Sequence, residues 1–209
     1  MRWWLLMAAL LTSFAMADPL TDAAAHFEAL QSYQVTLRSV DASGDRQVIR
    51  YFYRKPGWVR MDFVRPHPGA VLIYSPDTRR VRLWPLGLHR WPTLDLAPDD
   101  WLLRGPRGRR VDRSDVGVLL ADVLALRAHG STLPLGHAQV SGRAATGLEV
   151  VGTTDSPVSH VRRFRIWLAD DTLLPLRVDS FAANESLIET VDMSDAQANV
   201  RFPDRFFTP

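Results

Sequence analysis

The residue types that most often perform catalysis or bind metals occur in this chain, but not in patterns that predict a site. Its six histidines are scattered, without the short spacing typical of zinc sites. We find no glycine-rich phosphate loop, no Gly-x-Ser-x-Gly elbow and no cysteine. Carboxylates fall mainly in predicted turns or on polar strand faces. We therefore predict no catalytic residue, no metal site and no cofactor, and a protein that is not an enzyme. A small hydrolase whose carboxylates converge only in the fold is the alternative.

The binding chemistry that the sequence does offer is apolar. Val59, Met61 and Phe63 alternate with charged residues, and the same alternation recurs further along the chain. Burying one methylene group of a lipid chain contributes about 0.8 kcal/mol, so such a site needs apolar area and no special group. We predict an apolar cavity, but a filled, dry core would show the same alternation. The predicted lining residues are Val59, Met61, Phe63, Leu72, Tyr74, Leu83 and Phe164.

Strands must position these side chains, because an alternation with a period of two is typical of a half-buried strand. Turn signals such as Lys55-Pro56-Gly57 separate the strands and favour an antiparallel meander. Residues 70–74 are apolar on both faces, which indicates deeper burial. Two helices are also predicted. The first begins at Asp18-Pro19, and the second runs from Ser114 or Asp115 to Gly130. The second is apolar over most of its circumference, so it either plugs the mouth of a curved sheet or is an ordinary core helix.

The first seventeen residues have the layout of a secretory signal peptide. Arg2 precedes a short apolar run, and Ala15-Met16-Ala17 forms a small-x-small cleavage site. We therefore predict a signal peptide over residues 1–17 and one domain over residues 18–209. The expected location is the periplasm, with the protein soluble after cleavage.

Charge is nearly balanced in the whole chain but concentrated in one segment. Lys and Arg number 25 against 23 Asp and Glu, which argues against a nucleic-acid partner. Residues 104–113 form an exposed basic loop by composition. This loop could contact anionic lipid headgroups, at about 1 kcal/mol per basic residue, or an acidic partner, or be only solvated. Its arginines are Arg104, Arg107, Arg109, Arg110 and Arg113.

Four tryptophans lie near the same part of the chain. Tryptophan often occupies the rim of an apolar surface with its N–H in water, and these four could guide a lipid into a mouth. Packing between the sheet and the helices is the other interpretation. The four are Trp58, Trp84, Trp91 and Trp101.

Several motifs, in order, resemble the outer-membrane lipoprotein carrier (LolA-like) superfamily. The corner Lys55-Pro56-Gly57 joins two strand patterns within residues 53–63, and residues 69–78 follow it as a hairpin. Residues 171–177 are similar to an acidic turn that leads into a Leu-Pro-x-Arg strand, and residues 202–209 to a closing aromatic-rich strand. The resemblance implies a mainly β fold with a few helices, namely a half-open antiparallel β-barrel covered by helices around a large apolar cavity.

The resemblance also implies a function and one further site residue. Members of the superfamily carry the acyl chains of lipoproteins, receive them at the outer membrane, or sense envelope stress. The carriers have a basic residue before the corner proline that holds the helical lid shut, and here that residue is Lys55. The family carrier has arginine there, and lysine offers a point charge in place of a planar fork.

We accordingly expect a periplasmic carrier or binder of lipids or lipidated proteins that uses the apolar cavity. The alternative is an envelope protein-interaction or stress-sensor module on the same fold, without cargo transport. The expected partners are a lipid or an acylated protein, and an inner- or outer-membrane protein as a further candidate. A monomer is expected, because the mouth for the cargo must stay accessible.

Overall fold

The computed structural model describes residues 18–103, 110–153, 158 and 160–208. The predicted signal peptide lies outside the described residues. Two α-helices are present, α1 (Pro19–Ala29) and α2 (Val116–Ala128). The strands are β1 (Ser32–Asp41), β2 (Arg46–Arg54), β3 (Trp58–Arg65), β4 (Val71–Ser75), β5 (Arg80–Trp84), β6 (Leu94–Leu96), β7 (Gly130–Val140), β8 (Arg143–Gly152), β9 (Arg163–Ala169), β10 (Pro175–Phe181), β11 (Leu187–Asp192) and β12 (Gln197–Ala198).

The described strands form one sheet in which every pairing is antiparallel. Its order is β6-β5-β4-β3-β2-β1-β11-β10-β9-β8-β7, and the short β12 pairs with the beginning of β1. The first six strands thus run outward from β1, and the later ones return inward to β11. Among the described residues β6 and β7 are the free edges, so the sheet is not closed. The predicted antiparallel β fold with a few helices is therefore confirmed.

The alternating sequence gives the sheet an apolar inner face and a mixed outer face. Inner residues of neighbouring strands lie opposite each other, as Tyr51 does to Met61, and belong to one hydrophobic core. All five residues of β4 are buried, as predicted for this segment. Leu72 belongs to the main core, whereas Ile73 packs with Trp84 in a small outer cluster.

The two helices pack against each other in opposite directions. Arg127 near the end of α2 binds the carboxylate of Asp18 at the start of α1, with Nη1–O distances of 2.7 and 2.6 Å. At the other end Gly117 lies against Phe27, so closely that a Cβ on Gly117 would be 2.3 Å from Phe27 Cε1. Helix α2 also contacts β7 and β8. Within the described chain, neither helix is long and apolar enough to span a membrane.

One expectation about the later strands was wrong, and one later strand is irregular. Residues 202–208 do not form a strand. The ring of Phe206 packs edge-on against Phe52, and that of Phe207 is tilted against Trp58. In β10 the register shifts between Pro175 and Arg177. This irregularity directs Leu176 to a small cluster with Ala145 and Ala169, away from the main core.

Candidate functional site

A cavity of about 480 Å³ lies on the inner face of the half-sheet β1–β5. Cavities of about 300–1,000 Å³ are typical of small-molecule sites. Most of its wall is aliphatic or aromatic, with additional residues from β10, β11 and the segment that leads into α2. The apolar lining residues on the strands are Val35, Leu37, Ile49, Met61, Phe63, Leu72, Leu83, Leu94, Val178 and Val191.

Four of the seven predicted lining residues are in this wall. They are Met61, Phe63, Leu72 and Leu83. The other three, Val59, Tyr74 and Phe164, are buried in the main core and are not part of the lining.

The sequence alternation shows which strand face is apolar, but not which parts of that face are covered by a helix. Helix packing separates the buried residues from those that line the cavity. Phe164 lies on β9, in the half of the sheet that α2 approaches, and it shares a core with Leu120 and Val123 of that helix. Val59 lies opposite Tyr53, whose ring packs 5.7 Å from that of Phe27 on α1. Helical side chains therefore fill the space above both positions. The wall residues on β1 and β11 were missed, although their period-two spacing was the same signal.

Tyrosine side chains at one end of the cavity connect the sheet to the start of α2. The hydroxyl of Tyr33 accepts a hydrogen bond from the backbone N–H of Val116 at 3.1 Å. The hydroxyls of Tyr51 and Ser114 are 3.1 Å apart, and Ser114 donates to the carbonyl of Val111 at 2.7 Å. The rings of Tyr33 and Tyr51 are stacked 5.8 Å apart. Burial raises the pKa of both phenols, so they stay neutral.

Asp115 caps α2 beside these tyrosines. Its carboxylate accepts the backbone N–H of Val118 at 3.0 Å, as expected for an N-cap residue. Burial raises the pKa of this carboxyl group, although the backbone hydrogen bonds of the cap act in the opposite direction.

Polar side chains form part of the cavity wall at the far end of the strands. Ser39 on β1 lies directly opposite Gln47 on β2, and Glu189 on β11 lies opposite Asp41. Ser39 and Glu189 are buried. The cavity is therefore apolar along its middle and polar at both ends, which suits an amphiphilic molecule better than a pure hydrocarbon. Ser39, Gln47 and Glu189 were not among the predicted site residues.

Lys55, the predicted lid latch, lies outside the cavity and contacts α1. Its Nζ donates to the backbone carbonyl of Glu28, near the C-terminal end of that helix, and is 4.0 Å from Glu28 Oε2. A cation is favourable at this end of a helix, because the last carbonyl groups lack partners within the helix. Lys55 therefore connects the β2–β3 corner to the helix pair.

The basic loop is only partly described. Arg104, Arg107 and Arg109 lie outside the described residues. Arg110 is exposed and forms part of the cavity wall, and it binds Asp112 through Nε and Nη2 at 3.0 and 2.8 Å. Arg113 is exposed.

The four tryptophans have different surroundings. Trp84 is buried in the outer cluster with Val71 and Ile73, so it cannot form a rim. Trp58 is half-buried beside Phe207, at a ring distance of 6.4 Å. Trp91 and Trp101 are exposed.

No group of three or more histidine, aspartate or glutamate side chains within the described part of the chain could hold a metal ion.

Comparison with known proteins supports the fold and goes no further. No family model and no curated protein matches this chain. The Mycobacterium tuberculosis lipoprotein LppX is 11% identical with a TM-score of 0.54, over 88% of this chain and 95% of LppX. An uncharacterized conserved protein from Thermus thermophilus is 10% identical with a TM-score of 0.51, over 88% and 93% of the two chains.

A LolA superfamily protein from Nitrosomonas europaea also matches, with 12% identity and a TM-score of 0.36, over 92% and 99% of the two chains. None of the three is named as an enzyme. A LolA superfamily protein is among the structures that this chain resembles, as the sequence predicted.

We predict that Tyr33→Phe lowers the free energy of unfolding by about 1–3 kcal/mol, because it leaves the buried N–H of Val116 without its acceptor. Tyr53→Phe is the matched control, since the Tyr53 hydroxyl makes no hydrogen bond within the described residues and its ring belongs to the same aromatic cluster. Urea denaturation measures both variants. Equal losses in the two variants would contradict the role given to the Tyr33 hydroxyl.

A second prediction concerns pH. The folded-state pKa of Asp115 lies above its ordinary value of 3.8, so its protonation stabilises the folded state at low pH. That contribution is lost as the pH rises through the folded-state pKa. Asp115→Asn keeps the cap and removes the titration. We expect the free energy of unfolding of the wild type, relative to Asp115→Asn, to fall as the pH rises from below 3.8 through that pKa. A difference that rises with pH over this range would refute the assignment.

Proposed function

We propose that this protein is a periplasmic carrier or binder of lipids or lipidated proteins, and that the cavity over β1–β5 holds their acyl chains. The observation that supports this most is the apolar cavity of about 480 Å³ on the inner sheet face, in a place where a filled barrel would have packed side chains. Most of its wall offers hydrocarbon surface. Affinity would come from burying methylene groups, at about 0.8 kcal/mol each.

The polar ends of the cavity suit a cargo with a headgroup. In this proposal the acyl chain lies along Leu37, Ile49 and Leu72, and the polar groups of the cargo remain near one end of the strands. Arg110 is part of the cavity wall, which supports a role for it in contacting an anionic headgroup or an acidic partner.

The helix pair would serve as the cover of the cavity. Val116 and Leu119 of α2 already form part of the wall. Lys55 would act as a latch, because its ammonium group holds the end of α1 to the β2–β3 corner. Opening of this cover would then separate the helices from the β2–β3 corner and let an acyl chain enter the cavity.

The proposed location follows from the sequence. Residues 1–17 would direct export and be removed, which leaves the domain of residues 18–209 in the periplasm. Exchange of cargo there would involve an inner- or outer-membrane protein.

A second candidate function is an envelope protein-interaction or stress-sensor module, which the free edge strand β7 favours. This strand is exposed over ten of its eleven residues and presents Leu133 and Leu135 to solvent. An extended segment of a partner protein could add to such an edge.

We predict that Leu37→Trp weakens the binding of a fluorescent fatty acid by about tenfold or more, which corresponds to about 1.4 kcal/mol, because the indole occupies the middle of the cavity. Leu133→Trp on the exposed β7 is the control and should bind as the wild type does. If Leu37→Trp does not fold, Met61→Phe is a milder replacement in the same wall. It should also weaken fatty-acid binding, but by a smaller factor. A wild-type protein that binds no fatty acid or lipopeptide would overturn the proposal and leave the interaction module in its place.

We predict that Lys55→Met speeds the release of a bound fatty acid several-fold, because it removes the hydrogen bond to the carbonyl of Glu28. Lys55→Arg retains a donor and should release the ligand at close to the wild-type rate. Stopped-flow displacement measures the rates. Identical rates for the wild type and Lys55→Met would exclude the latch.

A further inference from the structure

Half of the exposed large apolar side chains in the described chain lie in one short stretch. We define residues 85–103, which follow β5, as the rim segment. Trp91 is 87% exposed and Trp101 is 74% exposed, and Leu86 and Leu102 also face solvent. Such residues scattered singly need no explanation, but a concentration of them in one segment marks an interaction site.

The same segment forms part of the cavity wall. Leu94, Leu102 and Leu103 all line the cavity, and Leu103 also packs against the main core. Trp101 directly precedes Leu102. Leu94 is three positions after Trp91, which limits the distance between the Cα atoms of Trp91 and Leu94 to about 11 Å. Both exposed tryptophans are therefore beside the cavity.

The residues that flank the rim segment are basic, whereas the segment itself carries one arginine and three aspartates. The flanking residues 79–84 and 104–113 contain eight arginines and one aspartate, so residues 79–113 have a net charge of +5 against +2 for the whole chain. The remainder of the chain is thus net negative, and the positive charge is concentrated here. Among the described residues Arg90, directly before Trp91, and Arg110 in the cavity wall are exposed.

We infer that the rim segment is a docking surface for an anionic phospholipid bilayer, on which Trp91, Trp101 and Leu102 enter the headgroup region. This inference rests on the proposed function, since it states where the cargo of the cavity would enter and leave. Tryptophan side chains favour the boundary between lipid and water, and nearby arginines add attraction to anionic headgroups. A bilayer is favoured over a protein partner because the exposed apolar side chains continue into an apolar cavity.

Flotation of the mature protein with lipid vesicles tests this inference. We expect the wild type to float with vesicles of phosphatidylcholine and phosphatidylglycerol, and much less with phosphatidylcholine alone or at high salt. The double variant Trp91→Ser/Trp101→Ser should lose roughly tenfold or more of the binding to the anionic vesicles. The matched control, Leu133→Ser/Leu135→Ser, removes exposed apolar side chains from β7 and should float as the wild type does.

Three outcomes would overturn the inference. They are a wild type that does not bind anionic vesicles, a tryptophan variant that binds them as well as the wild type, and a β7 control that loses as much binding. Fatty-acid binding in solution separates this inference from the proposed function. If the protein binds fatty acid but not vesicles, the docking surface is rejected and the carrier function stands. If it binds vesicles but not fatty acid, the carrier function is rejected.

Discussion

The hydroxyl of Tyr33 accepts the first amide of α2, and the rest of the site depends on this contact. Together with the pair Tyr51–Ser114 and the cap at Asp115, it fixes where the helix begins over the sheet. From that point α2 runs along β7 and β8, and its buried side chains fill that half of the inner face. Over β1–β5, Phe27 of α1 covers only the end near Tyr33 and Tyr53, and the cavity lies beside it on the same inner face.

Contacts between α1 and α2 fix the position of the two helices relative to each other. Gly117 allows the ring of Phe27 to approach α2 more closely than any side chain would permit. The ion pair Asp18–Arg127 holds the opposite ends of the two helices together. These contacts join the helices to each other, and Lys55 joins α1 to the β2–β3 corner of the sheet.

Much of the fold could be predicted from the sequence, because alternation and turn residues report the local environment of each strand. The deep burial of β4 and the cap at Asp115 are examples. The distinction between a filled and an empty part of the inner face could not be predicted, since Phe63 and Phe164 have the same alternation. Phe63 lines the cavity, whereas Phe164 is buried in the core with side chains of α2. The polar wall at Ser39 and Glu189 was also not predicted, because it arises from strands that are distant in the sequence and adjacent in the sheet.

Native mass spectrometry of the mature protein purified from its own cell envelope, followed by solvent extraction, would identify the cargo of the cavity. We expect a bound acylated species that leaves on extraction and can be bound again by the emptied protein. A protein that is isolated without a ligand, and that takes up no fatty acid or lipopeptide afterwards, would contradict the claim that the cavity over β1–β5 holds acyl chains.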